Sequence, residues 1–454
     1  MKQLKFSILL VIFTLGLHAS EKPNFIIIFT DDQGYNDLGC FGSKTIKTPH
    51  IDRIAQEGRK LTSFYAASSI CTPSRAALLT GCYPKRVGLA RGVIFPGDNH
   101  GLHPDEVTIA DMLKGAGYAT ACIGKWHLGH RQPFLPTSQG FDAYFGIPYS
   151  NDMNHPDNGG RKGLLRKDDS WLAQGEAWKK WQTPLMQDED IVELPVNQRT
   201  ITRRYTDRAI EFVTAHKDEP FFLYLPHSMP HVPLFVPEDA YDPDPQNAYK
   251  AVIEHIDAEV GRLMKTVSAL GLNDRTYVIF TSDNGPWLPF ENHAGSAAPL
   301  RAGKMTTYEG GQRVPCIIWG PGRVPAGTES NEMATTMDLL PTLAKLSGAK
   351  LEPRGPIDGL DISNLIHGTG PSPREELVYY SKDGSLHGLR QGDWKLRSTR
   401  SKQGASTELF NLVEDIGETT NLAREYPDRV QTMHTKMRQL DNQITDSIRP
   451  HGQL

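Results

Sequence analysis

The chain has 454 residues, with 49 basic and 53 acidic side chains and a formal charge of −4. That near-neutral balance, with 22% charged and 38% hydrophobic residues, describes an ordinary globular composition and excludes a strongly basic nucleic-acid-binding surface. The length is enough for a large core and for more than one folded unit.

The N-terminus reads as a secretory signal peptide over residues 1–20. Lys2 and Lys5 supply a positive start, Phe6 to Leu17 is uncharged and apolar, and His18-Ala19-Ser20 brings small residues for cleavage. The expected mature chain is exported, periplasmic or secreted. No later stretch is apolar enough to span a bilayer, so no membrane insertion of the mature chain is expected.

Short apolar runs then alternate with helical patterns. Phe25–Phe29, Tyr118–Ile123, Phe221–Leu225, Tyr277–Phe280 and Cys316–Trp319 read as buried strands. Helical spacing falls near 50–60, 105–116, 200–216, 248–270 and 338–347, with Val252, Ile256, Val260, Leu263 and Val267 on one face. This alternation predicts an α/β domain with a large, mostly parallel central sheet flanked by helices, over residues 21–368. Residues 150–200, polar and carrying Trp171, Trp178 and Trp181, read as a long surface excursion. After a Gly/Pro-rich junction at 368–373 the texture changes. Short strands around 378–380, 387–390, 394–396 and 408–410 precede a helix near 426–446, which predicts a smaller α+β subdomain with an antiparallel sheet at 369–454.

The five cysteines (Cys40, Cys71, Cys82, Cys122 and Cys316) are an odd number for an exported protein, which hints at a special thiol. Cys122 and Cys316 lie in strand-like segments and read as packed thiols.

Polar residues gather just after the predicted strands: Asp31-Asp32-Gln-Gly34, Gly124-Lys-Trp-His-Leu-Gly129, Pro226-His-Ser-Met-Pro-His231 and Ser282-Asp-Asn-Gly285. In open α/β sheets ligands bind outside the carboxyl ends of the strands. Asp31, Asp32, Asp283 and Asn284 are hard oxygen donors that suit Ca²⁺ or Mg²⁺ better than zinc. Each motif alone also reads as a turn, since Asp, Asn and Gly favour turns. Cys71-Thr-Pro-Ser-Arg75 precedes Ala76-Ala-Leu-Leu; Thr72 is placed as a helix cap, Pro73 in the first turn and Gly81 at the end. On that reading Cys71 stands just ahead of a helix N-terminus, where a plain thiol would have a lowered pKa.

The motif Cys71-x-Pro-x-Arg75 with Ala-Ala-Leu-Leu-Thr-Gly81 closely resembles the signature of type I sulfatases of the alkaline phosphatase superfamily. Asp31-Asp32, Gly124 to Gly129, Gly146-Ile-Pro-Tyr-Ser150, Pro230-His231-Val-Pro233, Asp283-Asn284-Gly285 and Gly303-Lys304 to Gly311 match in the same order. The likeness runs from about residue 22 into the C-terminal subdomain and is greatest to the arylsulfatase A-like branch. It implies that a separate maturation enzyme oxidises Cys71 to formylglycine, whose hydrate attacks sulfur and later expels sulfate as the aldehyde re-forms.

By the same resemblance Asp31, Asp32, Asp283 and Asn284, with an oxygen of residue 71, hold Ca²⁺. Arg75 orients the formylglycine; Lys125 and Lys304 contact sulfate oxygens; Ser150 adds a sulfate contact. His127 is the base that starts elimination, and His231, with Lys304, protonates the leaving oxygen. His227, four residues earlier, is left as a substrate or structural residue. Together with export, the resemblance implies a sulfated carbohydrate as substrate. The rival reading is a formylglycine-dependent phosphodiester or phosphonate monoester hydrolase of the same superfamily; a two-zinc phosphatase would need further His and Asp ligands.

Overall fold

The computed structural model describes residues 22–154, 176–401 and 404–454. The signal-peptide reading of residues 1–20, and Trp171, lie outside them.

Ten strands form the central sheet: β1 (Asn24–Thr30), β2 (Arg59–Leu61), β3 (Ala119–Ile123), β4 (Ala143–Gly146), β5 (Leu185–Gln187), β6 (Asp190–Glu193), β7 (Phe221–Pro226), β8 (Thr276–Ser282), β9 (Cys316–Trp319) and β10 (Thr328–Ser330). Their spatial order is β10-β2-β9-β8-β1-β7-β3-β4-β5-β6. The central block β8-β1-β7-β3-β4 is entirely parallel. Antiparallel β9 adjoins it on one side and the β5–β6 pair on the other.

β1 shows why the block sits in the middle. Phe25, Ile27 and Phe29 enter one hydrophobic core while Ile26 and Ile28 enter another, as a period of two demands when both faces are covered. The first core packs on α2 (Cys71–Thr80), α3 (Ile109–Gly115) and α6 (Leu339–Ser347). The second packs on α1 (Pro49–Glu57), α4 (Ile201–Ala215) and α5 (Ala248–Ala269), where Val252, Ile256, Val260, Leu263 and Val267 are all buried. Fully burying each such side chain contributes about 1.5–3 kcal/mol, so β1 is anchored from both sides.

Three expectations need correction. Helix α3 begins at Ile109, not near 105, because Thr108 and Asp111 close a capping box there. Residues 150–200 are more than a surface excursion: β5 and β6 extend the sheet, and Trp181 is buried against Phe235. At α2 the N-cap is Ile70, not Thr72, and Cys71 is the first helical residue. Thr72 uses its hydroxyl to donate to the His127 carbonyl at 2.9 Å, which removes it from capping.

Beyond α6, β11 (Glu376–Tyr380), β12 (Leu386–Gln391), β13 (Trp394–Ser401) and β14 (Gly404–Asn411) form an antiparallel sheet, covered by α7 (Pro427–Thr445). None of the five cysteines is disulfide-bonded, and Cys122 and Cys316 are buried thiols in strands. Among the described residues no helix is long and apolar enough to cross a membrane.

Candidate active site at the carboxyl edge of the sheet

Because β1, β3, β4, β7 and β8 run parallel, their carboxyl ends meet along one edge. That edge receives Asp31 and Asp32 from β1, Lys125 and His127 after β3, Ser150 after β4, His231 after β7, and Asp283 and Asn284 after β8. All eight are buried. α2 brings Cys71 and Arg75 from beneath, and the segment before β9 brings Lys304.

Adjacent strand residues would point to opposite faces. Asp32 instead adopts a left-handed backbone (φ 63°), which turns its carboxylate to the same side as that of Asp31. Its N–H donates to Asp283 Oδ1 at 3.2 Å, and Asn284 Nδ2 donates to its Oδ1 at 2.7 Å. His127 has the same backbone twist (φ 63°). Such conformations persist only where the surroundings over-determine them, and they cluster at functional sites.

Ion pairs knit the cluster. Arg75 places Nε and Nη2 at 3.1 and 2.8 Å from Asp283 Oδ2, and Nη1 at 2.8 Å from the Lys125 carbonyl. Lys125 Nζ donates to Asp31 Oδ2 and lies 3.2 Å from Ser150 Oγ. Lys304 Nζ lies 2.7 Å from Asp32 and 3.6 Å from Cys71 Sγ. Cys71 Sγ is 3.3 Å from Asp31 Oδ1. His231 Nε2 lies 3.6 Å from Asp32 Oδ2. The ligand atoms of Asp31, Asp32, Cys71 and His231 are all within 4.8 Å of one another.

The charges explain the titration behaviour. Burial alone would raise Asp31, but the Lys125, Arg75 and Lys304 cations outweigh it and hold the carboxyl well below its usual range. Burial raises Asp32 against the pull of Lys304, and burial together with Asp31 raises Asp283 to about 7. The expected low-pKa thiol at Cys71 is overturned: burial, then Asp283 and Asp31, push it well above the ordinary value. Burial, absent from the local helix argument, decides the sign, and the neighbouring carboxylates add to it. Burial holds His127 far below its usual value and His231 down to about 3, with lysines adding to both, so both rings are neutral.

The donor set fits a hard divalent cation. Asn284 Oδ1 is a buried acceptor with no hydrogen-bond partner among the described residues, on a side chain whose Nδ2 meets Asp32. Three carboxylates balance Arg75, Lys125 and Lys304; a bound dication makes the pocket net positive, which suits an anionic ester.

Sequence reasoning missed several neighbours. The Trp287 ring lies 4.5 Å from Lys304 Nζ and 5.5 Å from the His231 ring. It stands two residues past Gly285, and that spacing was the available signal. The Ile94 carbonyl, 3.1 Å from His127 Nε2, offered none. His227 is not brought into the cluster. It is buried near the Tyr205 ring, and neither of its ring nitrogens has a partner among the described residues.

A buried, charge-balanced pocket for an anionic ester at the carboxyl edge of this sheet defines an enzyme of the alkaline phosphatase-like superfamily. The Sulfatase family model matches residues 23–349, and the chain belongs to that family, whose members hydrolyse sulfuric esters. It is 40% identical to human arylsulfatase A over 376 residues, covering 82% of this chain and 73% of that protein. It is 35% identical to dog N-acetylgalactosamine-6-sulfatase over 86% of this chain and 74% of that one. Among solved structures, Ps i-CgsB in complex with k-i-k-neocarrahexaose superposes with a TM-score of 0.79 at 31% identity, covering 92% and 93% of the two chains.

Proposed function

We propose that the protein hydrolyses sulfate esters of carbohydrates through a formylglycine formed from Cys71. We further propose a Ca²⁺ site, which Mg²⁺ could also fill, made of Asp31, Asp32, Asp283, Asn284 and an oxygen of residue 71. The observation that carries this reading is the convergence of Cys71 Sγ, 3.3 Å from Asp31 and 3.6 Å from Lys304 Nζ, on one all-oxygen ligand set. The sugar as substrate is supported by the relative named N-acetylgalactosamine-6-sulfatase and by the neighbour solved with neocarrahexaose. Residues 21–368 form the catalytic unit in this proposal and 369–454 its C-terminal subdomain. Export after cleavage of residues 1–20 and a separate maturation enzyme complete it.

A bound dication would supply Lewis-acid polarisation of the residue-71 oxygen and of the sulfate. The chain's own residues do the rest. Arg75, held by Asp283 and the Lys125 carbonyl, fixes the floor beneath residue 71. Lys125, Lys304 and Ser150 present donors to sulfate oxygens and oppose the charge that develops in the transition state. His127 Nε2–H donates to the Ile94 carbonyl, which leaves Nδ1, buried and without a partner among the described residues, as the nitrogen that accepts a proton. His231 Nδ1–H donates to the Val232 carbonyl at 2.6 Å, so Nε2 is the nitrogen that exchanges a proton with the leaving oxygen, assisted by Lys304.

Free sulfate released from defined sulfated oligosaccharides is the test, with mass spectrometry of the residue-71 peptide. Cys71→Ala should abolish turnover in a folded protein; wild-type activity in that variant refutes the nucleophile. Removal of divalent ions should suppress turnover, and full activity in a metal-free sample refutes the cation site. Faster turnover of an aryl phosphodiester than of the aryl sulfate would favour the phosphodiesterase reading.

A further inference from the structure

Lys304 has little local support of its own. Between β8 and β9 the chain carries a short 3-10 stretch at Leu288–His293 and a single α-helical turn at Glu309–Gln312, and Lys304 lies in neither. Ala302 (φ 61°) and Met305 (φ 70°) flank it in left-handed backbone, a conformation that side-chain-bearing residues hold only when neighbours enforce it. Toward the active site three main-chain bonds hold this segment: Lys304 N–H to Pro286 O and Met305 N–H to Ser69 O, both 2.9 Å, and Gly285 N–H to Gly311 O at 3.1 Å.

Gln312 pairs with Ala66, and further restraints come from Tyr65 and from the C-terminal subdomain. Glu309 is completely buried and accepts from Tyr65 Oη at 2.5 Å, Tyr379 Oη at 3.1 Å and Lys395 Nζ at 2.9 Å. Lys395 Nζ also lies 2.8 Å from Glu418 Oε1, and both side chains are fully buried. Glu418 closes the loop: its Oε2 accepts the Glu309 N–H at 2.7 Å and its carbonyl accepts Arg301 Nη1 at 2.7 Å. Nearer the surface, Arg397 Nε donates to Thr307 Oγ1 at 3.0 Å, its Nη1 donates to Tyr308 Oη at 2.9 Å, and its guanidinium lies 3.9 Å from the Tyr308 ring centre. Buried ion pairs of this kind are weak stabilisers against an apolar replacement; their use is to specify one arrangement.

We propose that Lys395 is a positioning residue for Lys304: the Glu309–Lys395–Glu418 bridge locks the 301–312 segment, so the C-terminal sheet sets where the Lys304 ammonium stands. This rests on the reading of Lys304 as a sulfate-contacting group. Lys395 Nζ meets Glu309, Glu418 and the Tyr379 ring, and acts only through the segment it holds.

The test uses the full-length enzyme and a small aryl sulfate. Lys395→Met should lower kcat by about tenfold to hundredfold, the scale of a misplaced transition-state donor. Amide hydrogen exchange over 301–312 should quicken while that of β1 stays unchanged. In a Lys304→Ala background, adding Lys395→Met should change kcat/KM by less than about twofold, because the group it positions is gone. An equal loss in both backgrounds, or an unchanged kcat despite quickened exchange, overturns the proposal. Arg397→Gln, at the more exposed end of the same clamp, goes through the same cycle if Lys395→Met does not fold. Wild-type turnover in Lys304→Ala alone would refute the role of Lys304 itself, which is a separate failure.

Discussion

Asn284 divides its amide between two tasks. Nδ2 donates to Asp32 and to the Gly285 carbonyl, and buried Oδ1 has no hydrogen-bond partner among the described residues. A buried acceptor in that state is costly unless something positive completes it. Asn284→Ala should therefore weaken Ca²⁺ binding by about tenfold or more, equivalent to at least ~1.4 kcal/mol, as read by titration calorimetry on the full-length protein. At His127 the free Nδ1 makes a kinetic prediction. His127→Ala should release about one alcohol per enzyme in a burst and then stall, the sign of a blocked second step. A steady rate without a burst would place His127 outside that step.

At the scale of elements, the crossing of β3, β4 and β7 leaves no room above Gly124. Its φ is +138°, and a Cβ there would meet the Pro226 carbonyl oxygen at 1.9 Å. The close approach is what lets Lys125 N–H reach that carbonyl at 2.7 Å and aim the residue into the cluster. Gly124→Ala should cost about 3 kcal/mol in urea unfolding, at the upper end of ordinary single substitutions, and should reduce turnover with it. The strands of the parallel block were legible because two-sided burial writes continuous apolar runs such as Phe25–Phe29. β5 and β6 were not: Leu185–Gln187 and Asp190–Glu193 are too short for any period, and Ile191 and Val192 stay exposed. Their pairing depends on β4, which pairs with β5, and β5 in turn pairs with β6.

Across the whole molecule, burial keeps His127, His227 and His231 neutral, with His227 and His231 held down to about 3 against an ordinary 6.5. A depressed folded value means the unfolded chain binds protons first. Stability is then fully present above about pH 6.5 and is lost as the pH falls toward the folded values. Each such histidine steepens the loss by about 1.4 kcal/mol per pH unit within that window. His227 lies outside the reacting cluster, so His227→Phe isolates the effect. Its unfolding free energy should fall less steeply than wild type between pH 6 and 4, by about one proton's slope, measured by urea titration at each pH. Parallel slopes would show that His227 escapes protonation in the unfolded reference or gains a partner in the folded state.

The residues proposed to carry the chemistry were readable from the chain alone: hard oxygen donors, histidines and a lysine placed directly after buried strands, and a cysteine signature specific enough to identify a family. Short-range rules sufficed there because strand ends and motif spacing are local facts. What the chain could not state is how charges meet. Thr72 looked like a cap until the His127 carbonyl, 55 positions on, claimed its hydroxyl. Cys71 looked acidic until burial in the closed fold reversed the sign, with Asp283 and Asp31 from two strand ends adding to it. Contacts between strands far apart in sequence, and the clamp that ties Lys304 to the C-terminal sheet, exist only once the sheet has closed. Electrostatic and hydrogen-bond partners act through distance in space, and tertiary structure alone sets that distance.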